Sequence, residues 1–434
     1  MLDLITFNRW WDTSRVDDYY LKHYKRNLFK RLVDYLGTRQ ILVIYGLRRT
    51  GKTTLMYQLI DYLLKKGIPP KHILYFSFDE KVSNLKELFK IYSETIVSKE
   101  LSRLKNVYIF LDEIQKLENW ENQLKIFYDL YPNLKFIISG SASITIQTRA
   151  TETLAGRIYD FILTPLSFKE FLTLKNEPLS TEIDNIFDMK QLKSVFLSKN
   201  RILPYLIEFA KKGGFIELID EESEQRIKDY ARSIVERVSF VDLTGVYRIR
   251  YPQHLKTILE LIAANPGLLL DYASLSKTLN RDQRVIADYI SYLKYTFLIK
   301  SLYNYSKSRF VSERKLKKIY LGSTNFIYGF YADKFNEPDF WGRVMENLLV
   351  VNTDTEFFWR QRNYEIDLIL KDNIPLELKY QDRINNDDIK PIIKFCKKYK
   401  IKRALILTHN FIDSSRIENI EIFFIPLWLY LLTK

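Results

Sequence analysis

The segment from Ile41 to Leu63 permits few folds. Ile41-Leu42-Val43-Ile44-Tyr45 is a continuous apolar run, it enters Gly46-Leu47-Arg48-Arg49-Thr50-Gly51-Lys52-Thr53-Thr54, and Leu55, Leu59 and Leu63 then recur at helical spacing. A short apolar run without alternation is what a strand buried on both faces requires, and leucines four apart mark one face of a helix. Strand, tight glycine loop and helix together open a parallel α/β sheet. The loop has the spacing Gly-x-x-x-x-Gly-Lys-Thr. Gly46 and Gly51 let the backbone turn its N–H groups inward without a Cβ in the way. Lys52 then reaches the β and γ phosphates of a nucleotide, Thr53 offers a hydroxyl to Mg²⁺, and the positive end of the helix faces the anion, with Arg49, Thr50 and Thr54 completing the cradle.

The alternation continues downstream. Ile41 to Tyr45, Ile73 to Phe78, Val107 to Leu111, Phe136 to Ser139 and Phe161 to Leu163 read as strands separated by amphipathic helices, which predicts a parallel sheet covered on both faces across residues 40–174. Before it, residues 1–39 form a helical arm with paired aromatics (Trp10, Trp11, Tyr19, Tyr20) and the repeat Leu28, Leu32, Leu36 ending at Gly37. Residues 175–255 carry Leu, Ile and charged residues at helical spacing and suit a helical lid.

A phosphate loop alone implies binding; hydrolysis needs a carboxylate for magnesium and a group that orients water. Val107-Tyr108-Ile109-Phe110-Leu111 ends in Asp112 and Glu113, with Asp112 placed to hold Mg²⁺ and Glu113 to polarise water at the carboxyl edge of the sheet. A further strand, Phe136-Ile137-Ile138-Ser139-Gly140-Ser141, ends in hydroxyl residues, and Ser141 stands where a sensor of the γ-phosphate would lie. Leu154-Ala155-Gly156-Arg157 places a cation that would act near the phosphates of this or a neighbouring subunit.

Gly46 to Thr54, Leu111-Asp112-Glu113-Ile114-Gln115, Ser139-Gly140-Ser141, Leu154-Ala155-Gly156-Arg157 and Pro165-Leu166-Ser167-Phe168 resemble the AAA-type prokaryotic ATPases, common in archaea, that carry a C-terminal nuclease-like domain. The resemblance covers most of the chain. It implies that Lys52, Thr53, Asp112 and Glu113 bind and hydrolyse ATP with Mg²⁺ in an AAA+ core, and that the chain forms a homo-oligomer. For Arg157 it leaves two roles open, a finger in trans or a sensor in cis.

The chain has 434 residues, a net charge of +14 and 47% hydrophobic residues, enough for several folded modules and suited to a polyanionic partner. With Cys396 as the single cysteine no intrachain disulfide or cysteine-based metal site can form, and His23, His72, His254 and His409 show no metal-ligand spacing. The longest apolar run, Ile422 to Leu432, is too short to span a bilayer, so the expectation is a cytoplasmic protein without a membrane partner.

Within residues 256–332, helical patterns at Leu255 to Ala263, Tyr272 to Leu279 and Arg281 to Phe297 precede strand-like runs at Ile299 to Tyr305 and Lys318 to Leu321. Three helices and a hairpin predict a winged helix-turn-helix. Its wing, residues 300–318, holds Lys300, Lys307, Arg309, Arg314, Lys315, Lys317 and Lys318 against the single acid Glu313, interleaved with Tyr303, Tyr305 and Phe310. That composition predicts a hairpin that follows the phosphate backbone of DNA while aromatic rings pack or stack.

Residues 333–434 form a last α/β module. Tyr364-Glu365-Ile366-Asp367-Leu368-Ile369-Leu370, a turn Lys371-Asp372-Asn373, and Ile374-Pro375-Leu376-Glu377-Leu378-Lys379 read as a hairpin in which Leu370 faces Ile374, Asp367 faces Glu377 and Glu365 faces Lys379. Opposed carboxylates repel unless a cation separates them. The pattern resembles the Asp…Glu-x-Lys core of the restriction-endonuclease and Holliday-junction-resolvase fold, with Glu346 on the helix Gly342 to Val351 matching the helical acid. The resemblance implies that Asp367 and Glu377 hold Mg²⁺ and Lys379 orients the nucleophile, with the basic run 390–403 facing DNA. Two readings stand: an active nuclease driven by the ATPase, or a nucleotide-gated DNA-binding switch that keeps an inactive nuclease-like domain.

Overall fold

The computed structural model describes residues 4–141, 153–177 and 182–434. The chain divides into two compact units, Met1–Thr164 with Gly245–Tyr247, and Pro165–Thr244 with Arg248–Lys434. The stretches read from sequence as a winged helix and a nuclease-like module lie in the second unit, and so does the helical lid apart from Gly245–Tyr247.

In the first unit the strands are β1 (Ile41–Gly46), β2 (Ile73–Ser77), β3 (Val107–Asp112), β4 (Leu134–Ser141) and β5 (Ile158–Ile162). They form one parallel sheet in the order β2-β3-β4-β1-β5. Every residue of β1 is buried, as a strand covered by helices on both faces demands. Helix Lys52–Lys65 follows β1 and buries Leu55, Leu59 and Leu63, while Trp120–Leu130 buries Trp120, Leu124 and Tyr128 ahead of β4. Because β4 lies between β1 and β3, the carboxyl ends of all three strands meet on one edge.

The N-terminal arm is a chain of short helices, Leu4–Phe7, Trp10–Thr13, Asp18–Leu21 and Leu28–Tyr35. Strand β2 sits at the sheet edge, where its backbone groups need partners. The arm supplies them. Asn8 Nδ2 donates to Tyr75 O at 2.9 Å and its Oδ1 accepts from Tyr75 N at 2.6 Å, while Trp11 Nε1 donates to Ile73 O at 2.8 Å.

The second unit starts with helices, among them Phe168–Leu174, opened by a Ser167/Glu170 capping box, Lys199–Lys212 and Glu224–Arg237. Helices Gln253–Ala264, Tyr272–Leu279 and Gln283–Tyr295 follow. Asn280, in the left-handed region at φ 50°, ends the second of these, and Asp282 caps the third by accepting from Arg284 N at 2.8 Å.

Two sheets complete this unit. The first contains β6 (Leu268–Leu269), β7 (Ile299–Asn304), β8 (Lys317–Leu321), β9 (Phe357–Gln361) and β10 (Tyr364–Ile366) in the order β10-β9-β7-β8-β6. The second contains β11 (Leu368–Ile369), β12 (Pro375–Leu378), β13 (Arg403–Thr408), β14 (Asp413–Ile417) and β15 (Ile420–Pro426) in the order β11-β12-β13-β15-β14. Helix Asn386–Tyr399 connects β12 to the parallel β13 and contributes Ile392, Phe395 and Cys396 to a core shared with Trp359, Ile366 and Ile406. Among the described residues no helix is long and apolar enough to cross a membrane.

The hairpin β7–β8 departs from a free wing in two ways. Strand β7 pairs in parallel with β9, so the hairpin is the middle of a sheet rather than a projecting ribbon. Its connection also holds a short helix, Arg309–Arg314. Of the wing cations, Lys300 donates into the carbonyls of Val350 (2.8 Å) and Thr353 (2.6 Å), and Lys318 is 6% exposed. Neither reaches a solvent-facing backbone of DNA. In the tip itself Phe310 is 66% exposed beneath Arg314, and Arg309 is also exposed.

Candidate nucleotide site and carboxylate cluster

The phosphate loop leaves β1 at Gly46 and enters the helix at Gly51, whose φ of 95° suits glycine alone. A Cβ on Gly46 would stand 2.2 Å from Leu163 O, so the strand can pass β5 only as glycine. Arg49 also takes a left-handed conformation, at φ 64°. From the N-terminal arm, Arg26 Nη1 donates to Thr50 O at 2.9 Å and its Nη2 to Thr164 O at 2.9 Å, which ties the loop to the chain beyond β5. Lys52 is buried, with Nζ 3.1 Å from Leu47 O.

Asp112 ends β3 beside this loop and is 2% exposed. Its Oδ2 accepts from Thr53 Oγ1 at 2.7 Å and from Tyr75 OH at 2.9 Å. Its Oδ1 accepts from Ser139 Oγ and from Glu113 N at 3.1 Å. Burial, reinforced by the charge of Asp112, pushes the Tyr75 phenol well above its ordinary value, so it remains a donor to the carboxylate. Glu113 adopts φ 53°, ψ 38°, an uncommon conformation for a residue other than glycine, and its Oε2 accepts from Gln115 Nε2.

These residues fit Mg²⁺ and a triphosphate. Hydroxyl and carboxylate oxygens converge beside a helix N-terminus, and neither glycine of the loop could carry a side chain without a clash or strain. Thr53 and Asp112 would supply oxygens to the metal, which would neutralise charge on the phosphates. Sequence alone gave no role to Tyr75, or to Gln115 at the end of its motif. Tyr75 lies in an apolar strand run with no local signal, and its role follows only from the pairing of β2 with β3, which sets Ser77 beside Asp112. Within the third motif Ser139 makes the contact; the Ser141 side chain lies outside the described residues.

Arg157 is placed elsewhere. Its carbonyl accepts from Ile41 N at 2.8 Å, at the start of β1, whereas the phosphate loop leaves the other end of that strand. The six residues of β1 separate the two. Its guanidinium instead pairs with Asp129, Nε to Oδ1 at 3.0 Å and Nη2 to Oδ2 at 3.2 Å. A sensor role in cis would need the guanidinium to leave Asp129 and reach the far end of that strand.

In the second unit, Leu368 pairs with Leu376 and Leu370 N donates to Ile374 O, which sets Asp367 opposite Glu377. The strand breaks at Asp367, however. Residues 364–366 pair with β9, so that Glu365 faces Arg360 rather than Lys379. Asp367 sits at the junction of the two sheets. Its N–H donates to Glu377 Oε2 at 3.2 Å, its Oδ2 accepts from Leu378 N at 2.9 Å, and Lys379 Nζ reaches Glu377 Oε1 at 2.8 Å.

The cation in the midst of these acids is Lys318, from the run 300–318 that the sequence marks as a wing. Lys318 Nζ lies 3.0 Å from Glu346 Oε1, 2.5 Å from Glu365 Oε1 and 3.8 Å from Asp367 Oδ1. Tyr320 OH donates to Glu346 Oε1 at 2.6 Å. Burial raises the Asp367 carboxyl well above its ordinary range, with the charges of Glu377 and Glu346 adding to it, against Lys318 and the Leu378 N–H. Burial raises Glu377 too, opposed by Lys379. For Lys318, burial would lower the value, but the charges of Glu346, Asp367 and Glu365 outweigh it and the ammonium is held. Among the described residues no three His, Cys, Asp or Glu side chains gather so as to hold a metal ion, and Mg²⁺ on Asp367 and Glu377 does not fit this arrangement.

The basic run 390–403 is largely partnered within the chain: Lys397 with Glu418 at 2.8 Å, Arg403 with Glu421 at 3.4 Å, and Lys394 over the Tyr364 ring.

The model of the AAA domain family matches residues 38–172, and two domains of unknown function, DUF8612 and DUF4143, match residues 204–324 and 342–430. The chain is 30% identical over 427 residues to the uncharacterized protein MJ1544 of Methanocaldococcus jannaschii, covering 91% of this chain and 88% of that one. An uncharacterized protein of Haemophilus influenzae is 23% identical over 433 residues, covering 93% and 98%. Among solved structures, the Walker-type ATPase PABY2304 of Pyrococcus abyssi aligns with 73% of this chain and 97% of its own, at 15% identity and a TM-score of 0.40. The chain belongs to one family with the Methanocaldococcus jannaschii protein MJ1544 and carries the AAA domain of an AAA-type ATPase over residues 38–172.

Proposed function

We propose that the chain is a Mg²⁺-dependent ATP hydrolase whose second unit is a DNA-binding element switched by nucleotide. The observation that carries the hydrolase reading is the fully bonded Asp112 carboxylate, held by Thr53, Tyr75 and Ser139, next to a Glu113 side chain oriented by Gln115. In this reading Lys52 and the loop N–H groups bind the phosphates, Thr53 and Asp112 place the metal, and Glu113 accepts a proton from the attacking water. ATP turnover by purified protein tests it. Loss of turnover in Lys52→Ala, and retained ATP without hydrolysis in Glu113→Gln, are the expected results; turnover unchanged in both would refute it.

The winged-helix reading of residues 256–332 and the DNA partner rest on the exposed tip between β7 and β8, where Arg309, Phe310 and Arg314 combine charge with an aromatic face. Binding of labelled duplex, branched and single-stranded DNA over a salt series, in wild type and Arg309→Ala/Arg314→Ala, tests this. The double variant should bind more weakly with a shallower salt slope, and equal binding would remove the tip from the interface. Of the two readings of the C-terminal module, a nuclease-like fold without cleavage is favoured by the Lys318 ammonium among its acids. Incubating wild type with these DNAs and Mn²⁺ tests that choice, and cleavage lost in Asp367→Ala would reverse it.

A further inference from the structure

Strand β8 lies between β7 and β6, with Lys318 paired to Leu302 on one side and Leu269 on the other. Its backbone is held on both edges, so the Lys318 stem starts from a fixed point. Alternation along the strand sends Lys318 and Tyr320 to the same face. The helix Pro338–Val351 crosses that face, and Asn347 locks it there: Leu321 N donates to Asn347 Oδ1 at 3.0 Å, and Asn347 Nδ2 returns a bond to Leu321 O at 2.9 Å. Glu346, one residue earlier, meets both Lys318 and Tyr320. Gly267, at a φ of 81° that favours glycine, lies against this pair: a Cβ there would stand a tight 3.3 Å from Tyr320 OH and 3.4 Å from Glu346 Oε1.

The carboxylates are engaged in turn. Glu346 Oε1 accepts from the lysine and the tyrosine, Glu365 Oε1 from the lysine, Asp367 Oδ2 from Leu378 N, and the two oxygens of Glu377 from Asp367 N and Lys379. A divalent ion needs several of these oxygens at about 2.0–2.6 Å, around the volume that an ammonium with a 7% exposed side chain already fills.

We propose that Lys318 is the resident cation of this cluster: its tethered ammonium replaces a divalent metal, and the Glu346, Glu365 and Asp367 carboxylates bind metal only once that ammonium is removed. Glu346 and Asp367 then serve to lock β8 and the helix Pro338–Val351 to the junction of the two sheets, and not to activate water.

Mn²⁺ binding to the nucleotide-free, full-length protein, counted by electron paramagnetic resonance, tests the proposal independently of the ATPase site. Wild type, Asp367→Asn and Glu377→Gln are expected to bind the same number of ions. Lys318→Met is expected to bind one more than wild type, and Lys318→Met/Asp367→Asn to lose it again. A wild-type count that falls by one in Asp367→Asn or Glu377→Gln overturns the proposal, and so does a folded Lys318→Met that gains no ion. Should Lys318→Met fail to fold, the wild-type comparison with the two carboxylate variants still decides the first half.

Discussion

The Thr53 hydroxyl donates to Asp112 Oδ2 across 2.7 Å, joining the first turn of the helix after the phosphate loop to the end of β3. Tyr75 OH meets the same oxygen at 2.9 Å. Removing that phenol takes one of the bonds that fix Asp112 without touching the phosphates. Tyr75→Phe should therefore lower kcat for ATP several-fold while leaving nucleotide affinity nearly unchanged, and cost about 1 kcal/mol of stability. Steady-state turnover beside a fluorescent-nucleotide titration would separate the two effects. A matched loss of affinity would mean that Tyr75 shapes the loop instead.

Glu113 should be the most damaging single carboxylate to remove. Its replacement by Gln keeps size and most hydrogen bonding but abolishes the base, with an expected loss of about 10²–10⁴-fold in turnover and retention of bound ATP. Analysis of nucleotide co-purifying with the variant gives a second readout.

Gly46→Ala should fail for steric reasons alone. The new methyl would meet Leu163 O, a backbone atom that cannot rotate aside, at 2.2 Å. Overpacking of this kind costs about 1–3 kcal/mol or more. Urea denaturation should show a lowered midpoint, and a midpoint equal to wild type would contradict the close approach of β1 and the chain after β5.

Lys300 gives a pH signature. Burial, opposed by Asp354 and Glu356, lowers its ammonium to about 8. A lysine with a depressed native value binds fewer protons folded than unfolded, so its contribution makes stability rise with pH from about 8 toward the ordinary lysine value near 10.5. Below that window the penalty is constant. Lys300→Met should flatten the rise between pH 8 and pH 10 in a series of urea midpoints; an unchanged slope would place the titration elsewhere.

Arg157→Ala should leave ATP turnover of dilute protein within about twofold, because its partner is Asp129, and a solvent-screened pair of this kind contributes little. Turnover lost only at high protein concentration would instead assign Arg157 a role toward a neighbouring copy.

The glycine loop and the acidic pair were legible because their pattern is local. Glycines, lysine and threonine must follow one another within a single turn of chain, and Asp112 and Glu113 must close an apolar strand, so the spacing itself carries the information. The same holds for the pairing of Asp367 with Glu377, since a three-residue turn sets the register of the strands it joins. Strand β14, with the polar sequence Asp413 to Ile417, went unseen because an exposed edge strand carries no continuous apolar run.

By itself the sequence determined the parallel α/β core, its phosphate loop and the acidic pair beside it. Tertiary structure alone decided which side chain from a distant strand completes each site: Tyr75 and Ser139 at Asp112, and Lys318 among Glu346, Glu365 and Asp367. The reason is that a lysine's charge has no fixed meaning along the chain. On a solvated hairpin Lys318 would have served a polyanion, but strand pairing buries it, and a buried ammonium must find acceptor oxygens, here carboxylates.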